Sequence, residues 1–161
     1  MINNEYLSYA ARILADTNEG LSGSEICKFC TQYAVEYEKS IPYTRQPFKQ
    51  GTSNINKAQA LEANLTCFEP EQQFVIIRDL CDLEKFSNNE QVNELKVILT
   101  RDYYHLAPQE IAEQILETVN QVRNWLDDYP EAKVNYESAL EKKTCNLSGR
   151  NLPDDLRSSF E

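Results

Sequence analysis

The chain has 161 residues, 41% of them hydrophobic, and a formal net charge of −10, which suits one domain with its own core. An acidic surface argues against broad nucleic-acid or membrane binding, although it does not exclude a local basic site. The chain does not open on a signal-like segment, and no apolar run approaches membrane-spanning length, so we expect a cytoplasmic protein.

Apolar residues recur at helical spacing along most of the chain, and scarce glycine and scarce β-branched runs also favour helices over sheets. Helices are predicted to begin near residues 4, 22, 54, 70, 89, 108, 130 and 153. Ser22 and Glu25 have the spacing of a capping box, and Asn54 is the expected cap of the third helix. The sequence therefore predicts an all-α fold, a compact bundle or array of about seven to eight helices.

The helix that begins at Pro70 is predicted to be central. Proline suits the first helical position, where its missing N–H costs nothing, and Glu71 complements the positive helix start. Apolar side chains cover most of the circumference, which is typical of a helix with others packed around it. They are Phe74, Val75, Ile76, Ile77, Leu80, Cys81 and Leu83.

The helix that begins at Pro108 has the most regular apolar stripe, which we expect to face inward. Its residues are Ile111, Ile115, Val119, Val122 and Leu126. A seventh helix, opened by Pro130, repeats an apolar pattern at Ala132, Tyr136, Ala139 and Leu140.

The last residues of the chain are predicted to form a second, short region. Residues 1–144 are predicted to form the helical domain, and residues 145–161 a linker and the start of a further helix. The apolar pattern of that helix is interrupted by the end of the chain, which fits a short docking helix but favours a piece of a longer protein. Its residues are expected to dock a further domain: Leu152, Leu156 and Phe160.

Residues 39–57 contain four basic residues and no acidic one, in a chain that is otherwise acidic. Pro42 and Pro47 interrupt any helix here, and long loops in compact domains are often functional. Cations beside aromatic rings could hold a phosphate, a nucleotide or single-stranded nucleic acid. The alternative is a solvated loop pinned by its aromatic residues. The candidate ligand-binding residues are Lys39, Tyr43, Arg45, Lys49 and Lys57.

Two further residue pairs, a C-x-x-C and an arginine with a histidine, have simpler structural interpretations. Cys27 and Cys30 form a C-x-x-C inside a predicted helix, where buried reduced thiols are the better interpretation. No metal site, cofactor or catalytic residue is predicted. Arg101 and His105, the one histidine, are separated by three residues, whereas the similar pair of HEPN-type ribonucleases has four to six between its members. The simpler interpretation is a helix end.

Several segments together resemble the helical N-terminal region of bacterial abortive-infection proteins. They are Leu21-Ser-Gly-Ser-Glu-Ile26, Phe29, Tyr33, Ile41-Pro42-Tyr43, Gln72-Gln-Phe74, Leu80-Cys81, Trp125-Leu126, Tyr129-Pro130 and the closing Arg150–Arg157. The resemblance implies a role in phage defence. It also implies a further C-terminal helical domain that would carry any HEPN-like nuclease function.

We therefore expect a non-enzymatic sensing, interaction or regulatory domain of an antiphage protein. Its partner would be a phage or host protein or a C-terminal effector domain. The alternatives are a nucleic-acid- or nucleotide-binding domain that uses the basic loop, or a ribonuclease that uses Arg101 and His105.

Overall fold

A computed structural model describes residues 2–129, and the chain divides into two compact units, residues 1–112 and 113–161. Residues 2–129 form six α-helices, rather than the seven to eight predicted for the chain, and the predicted helices near 130 and 153 lie outside the described residues. The elements are α1 (Asn4–Leu14), α2 (Gly23–Glu36), β1 (Lys49–Gln50), β2 (Ser53–Asn54), α3 (Lys57–Leu65), α4 (Pro70–Cys81), α5 (Glu90–Tyr103) and α6 (Gln109–Asp128). The predicted all-α class is confirmed.

Side-chain caps fix the starts of these helices. Ser22 Oγ accepts the Glu25 N–H, and the Glu25 carboxylate accepts the Ser22 N–H, as the capping-box spacing predicts. The predicted cap of α3 was wrong by two residues, since Asn56 rather than Asn54 accepts the Gln59 N–H at 2.8 Å. Asn54 instead belongs to β2, because a short hairpin occupies the residues before α3.

The core of the first unit is built around α1 and α4. α1 packs against α3, α4 and α5, and its Ala10 and Ala11 are fully buried, so small side chains allow close approach of the helices. α4 also packs against α5 and buries most of its circumference, as predicted. Its buried residues are Gln73, Phe74, Ile76, Ile77, Leu80 and Cys81.

The loop between α1 and α2 is closed by two lysines from elsewhere in the first unit. Lys57 Nζ donates to the carbonyl oxygens of Asp16 and Leu21 at 2.9 and 3.0 Å. Lys85 Nζ donates to the Gly20 carbonyl oxygen at 3.1 Å and to the Glu25 carboxylate. These bonds satisfy loop carbonyls that no helix or strand pairs.

No helix within residues 2–129 combines the length and the apolar content needed to cross a lipid bilayer.

Candidate functional site

The basic loop is anchored to the bundle by a buried amide. Asn64 is fully buried on α3, and its side chain bonds both backbone groups of Tyr43. Its Oδ1 accepts the Tyr43 N–H at 3.0 Å, and its Nδ2 donates to the Tyr43 carbonyl at 2.9 Å. A reciprocal pair of bonds to one residue fixes the loop at that point, since neither backbone group can be lost without leaving a buried polar atom unpaired.

Aromatic packing supports the same anchor. Phe48 is 6% exposed, and its ring meets the half-buried Tyr43 ring edge-on, with centroids 6.0 Å apart. Gln46 lies between these two residues in sequence, and its side-chain amide lies against Gly23 at the start of α2. A Cβ added at Gly23 would come within 2.5 Å of the amide nitrogen. Phe48 belongs to the hydrophobic core and Tyr43 packs against it, so both rings hold the loop on the bundle.

A two-stranded hairpin that sequence reasoning missed projects beyond this anchor. β1 and β2 pair antiparallel, with Lys49 opposite Asn54 and Gln50 opposite Ser53. Gly51 has φ +64°, which suits the first central position of a tight hairpin turn. Only the Gly51-Thr-Ser-Asn54 turn chemistry could have indicated it, because two-residue strands leave no readable alternation.

The four predicted cations do not form one cluster of exposed charges. Lys39 Nζ lies 2.7 Å from the Glu69 carboxylate, and Lys57 caps the α1–α2 loop carbonyls described above. Arg45 and Lys49 are exposed, beside and within the hairpin. The part of the predicted site that presents charge to solvent therefore consists of Arg45 and Lys49.

Of the four cysteines within residues 2–129, Cys30 and Cys81 are buried and Cys27 and Cys67 are half-buried. Cys30 is buried on α2, and burial raises the pKa of its thiol to about 11, although a hydrogen bond with Asn64 opposes the rise. Burial also raises the pKa of Cys81 to about 12 and that of Cys27. Such thiols are protonated at neutral pH and therefore poor nucleophiles. Within residues 2–129, no group of three or more His, Cys, Asp or Glu side chains could hold a metal ion.

Arg101 and His105 are separated by a change of secondary structure. Arg101 lies in the last turn of α5 and donates to the neighbouring Asp102 carboxylate through Nε at 2.7 Å and through a terminal nitrogen at 3.0 Å. This bidentate bond raises the pKa of Arg101. His105 is exposed in the 3₁₀ turn Tyr104–Leu106 that follows α5. The Arg101 guanidinium is thus already paired with the Asp102 carboxylate.

α6 carries exposed apolar side chains along one side, and the sequence prediction placed two of them, Val119 and Val122, in the core. We define the α6 apolar face as Ile115, Leu116, Val119, Val122, Trp125, Leu126 and the following Tyr129. Leu126 is 8% exposed, but Val119 is 40%, Val122 43%, Trp125 52% and Tyr129 55% exposed. The Trp125 and Tyr129 rings pack together, with centroids 5.1 Å apart. The expectation that this stripe faces inward is therefore wrong for Val119 and Val122.

The acidic residues of α6 lie away from this face. With about 100° between successive residues, the apolar side chains fall on one side of the helix and the acidic ones on the other. The acidic residues are Glu110, Glu113, Glu117, Asp127 and Asp128. The predicted docking residues Leu152, Leu156 and Phe160 lie outside the described residues.

No protein-family model matches the chain, and the comparisons with curated proteins and with solved structures found no match either.

Proposed function

We propose that this chain is a non-enzymatic sensing or regulatory domain of a bacterial abortive-infection protein that acts in the cytoplasm. Two features support the proposal. The first is the likeness of its sequence segments to the helical N-terminal region of such proteins. The second, which carries the argument, is the exposed apolar face of α6.

The exposed side of this face has the properties of a protein-docking surface. Val122, Trp125 and Tyr129, which we call the Trp125 shoulder, follow each other at helical spacing and are each 43 to 55% exposed. Large aromatic side chains supply much of the binding energy at protein interfaces. An amphipathic helix with anchors at such spacing typically docks into an apolar groove.

The charge pattern indicates the chemistry of the partner. The polar side of α6 is rich in carboxylates, and Asp127 and Asp128 lie next to the Trp125 shoulder in sequence. A groove with an apolar floor and a basic rim would complement both sides of the helix. We therefore propose a protein partner with such a groove, either in a phage or host component or in an effector domain of the same defence protein.

A phage plaque assay tests this function. Cells carrying the native gene are compared with cells carrying Trp125→Ala, and Asn124→Ala serves as a matched control because it changes the neighbouring exposed residue on the polar side of α6. We expect protection from the native gene and the control, and loss of protection with Trp125→Ala at equal protein level. If Trp125→Ala still protects, the α6 face is not the functional surface. If the native gene protects against none of a broad phage panel, the antiphage proposal fails.

A second candidate function is binding of single-stranded nucleic acid or nucleotide by the hairpin. The observation that favours it is the exposure of Arg45, beside the hairpin, and Lys49, within it, on a loop that Asn64 anchors at Tyr43. The test is titration of a fluorescent single-stranded RNA at low salt. The double variant Arg45→Ala with Lys49→Ala should lose the binding, whereas Arg12→Ala, which removes an exposed cation from α1, should keep it. Affinity that does not fall with added salt would contradict phosphate contacts.

A further inference from the structure

Three aromatic side chains form a stripe along one side of α2 and its C-cap residue. Phe29, Tyr33 and Tyr37 follow each other at steps of four residues, which makes them neighbours on a helix surface, and each is half-buried. The Tyr33 and Tyr37 rings are nearly parallel, with their planes 10° apart and their centroids 6.1 Å apart. We call these three residues the α2 aromatic stripe. Part of its ring surface is open to solvent.

A carboxylate on α4 borders this stripe. Tyr33 Oη donates to Asp79 Oδ2 at 2.8 Å, which links α2 to α4. Burial, and then this hydrogen bond, raise the pKa of the Tyr33 hydroxyl, so it stays protonated and holds the carboxylate in place. The other oxygen, Oδ1, accepts no hydrogen bond from residues 2–129 and is not a buried atom. Asp79 therefore has one oxygen fixed by Tyr33 and a second oxygen that can accept from outside the fold.

The negative charge beside the stripe is not balanced within the described part of the chain. Burial raises the pKa of Tyr37, and the charges of Glu36 and Asp79 raise it further, so both carboxylates lie near its hydroxyl. Neither of them has an ion-pair partner among residues 2–129, whereas four other carboxylates do: Glu25, Glu69, Asp82 and Asp102. Because Asp79 is half-buried, less water screens its charge than the charge of a fully exposed carboxylate.

One end of the stripe already holds a cation. Lys28 Nζ lies 5.8 Å from the centroid of the Phe29 ring. Among residues 2–129, no lysine or arginine, Arg78 included, lies over the ring of either tyrosine. Lys39, which follows Tyr37 by two residues, is paired with the Glu69 carboxylate at 2.7 Å. The two tyrosine rings and Asp79 therefore lack the kind of partner that Phe29 has.

An arginine side chain fits the groups that are left open. Its guanidinium stacks on aromatic rings, donates to carboxylates in a planar fork and is more weakly hydrated than the ammonium of lysine. The net charge of −10 also attracts a basic partner over longer distances. We propose that Tyr33, Tyr37 and Asp79 form a site for an arginine of a basic protein segment, with the guanidinium over the tyrosine rings and paired with Asp79.

This inference goes beyond the proposed antiphage function and does not depend on it, since it uses residues of the first unit alone. A plaque assay with Trp125→Ala and a binding assay at Asp79 can therefore fail independently of each other.

Peptide binding to the full chain tests the site. The probe is a fluorescein-labelled peptide of alternating arginine and glycine, followed by fluorescence anisotropy at low salt. A second peptide carries citrulline in place of arginine, which keeps the shape and removes the charge. Asp79→Asn is the test variant, because an asparagine oxygen still accepts the Tyr33 hydroxyl. Glu94→Gln is the matched control, because it removes one negative charge from the exposed side of α5.

We expect wild type to bind the arginine peptide and not the citrulline peptide. Asp79→Asn should weaken binding by about tenfold, because it removes a charge-assisted hydrogen bond. Glu94→Gln should stay within about twofold of wild type, since a single exposed charge contributes little. Equal losses in the two variants would overturn the proposal in favour of general attraction to an acidic chain. No binding by wild type, or equal binding of the citrulline peptide, would also overturn it.

Nuclear magnetic resonance of ¹³C-labelled tyrosine rings locates the peptide on the surface. The Tyr33 and Tyr37 signals are assigned from the variants Tyr33→Phe and Tyr37→Phe. We expect both signals to shift as the arginine peptide is added, while the signal of Tyr9, a half-buried tyrosine of α1, stays in place. Unchanged Tyr33 and Tyr37 signals under conditions where the peptide binds would place it elsewhere and overturn the proposal.

Discussion

The two units carry helices of the same amphipathic kind, but they differ in what covers the apolar side. In α4, Phe74, Ile77 and Leu80 are at most 1% exposed. In α6, Val119, Val122 and Trp125 are 40 to 52% exposed, although the spacing of its stripe is at least as regular. Helical periodicity therefore indicates which side of a helix is apolar, but not whether a neighbour is there to cover it.

The largest expected difference between the two helices comes from one substitution made in each. Ile77→Ala removes a fully buried side chain from α4 and should lower the free energy of unfolding by about 2–5 kcal/mol. Ile115→Ala, in the half-buried part of α6, should lower it by about 1 kcal/mol or less. Urea unfolding followed by circular dichroism measures both. Equal losses would mean that the α6 stripe belongs to a core as tightly covered as that around α4.

A second pair of substitutions compares a buried asparagine of the first unit with an exposed asparagine of α6. Asn64→Ala leaves the partly buried backbone N–H and C=O of Tyr43 without these partners and should cost about 2 kcal/mol. Asn124→Ala, on the exposed polar side of α6, should change stability by less than about 0.5 kcal/mol. Hydrogen exchange at the Tyr43 amide should also accelerate in the Asn64 variant. An unchanged Tyr43 amide would show that Asn64 does not hold the loop.

A smaller effect is expected from the capping box of α2, and it depends on pH. The backbone N–H of Ser22, its hydroxyl and Lys85 lower the pKa of Glu25 to about 2 from an ordinary value of 4.5. A lowered folded-state pKa adds stability that is present above the ordinary value and is lost as the pH falls from about 4.5 to about 2. Because Glu25 is partly exposed, the contribution at pH 7 is only about 1 kcal/mol.

Comparison of Glu25→Gln with wild type across pH measures this contribution. The stability difference should be largest above pH 5 and should shrink as the pH falls toward 2. A constant difference for Glu25→Gln at all pH values would mean that the carboxylate charge does not contribute through the cap.

The sequence predicts the helices of residues 2–129 well because their signals are local. Ser22 with Glu25, and Pro70 with Glu71, begin α2 and α4 as expected, since a cap or a first-turn proline depends only on residues a few positions away. The apolar face of α4 follows from its own periodicity. The error at Asn54 is of the same local kind, because Asn56 is an equally good cap and the hairpin decides between them.

The candidate site is predictable only in part because it depends on long-range partners. The sequence shows the four cations of residues 39–57. It does not show which of them bind partners within the fold, since the partners of Lys57 are 41 and 36 residues away. The role of Asn64 has the same origin, because nothing near it in sequence shows that it binds Tyr43. The exposure of the α6 apolar face was not predicted because a regular apolar stripe is typical of the buried side of a helix. The sequence carries no signal that this side is only partly covered.

The smallest expected effect concerns the urea unfolding midpoint of the second unit, which a substitution in the first unit should leave unchanged. This measurement tests whether the two units unfold separately. Trp125 is the one tryptophan of the chain, so intrinsic tryptophan fluorescence reports on the second unit alone. Within residues 2–129, most helical residues belong to the first unit, so circular dichroism reports mainly on them. If the two units unfold separately, the fluorescence midpoint in urea should lie below the dichroism midpoint, because α6 buries less apolar surface.

Ile77→Ala then separates the two possible outcomes. It should move the dichroism midpoint to lower urea and leave the fluorescence midpoint where it is in wild type, since Ile77 lies in the core of the first unit. Coincident midpoints that move together in the variant would mean that the two units unfold as one cooperative domain. In that case the exposed face of α6 would be energetically part of the bundle, and its half-exposed residues would contribute to the stability of the first unit rather than standing free for a partner.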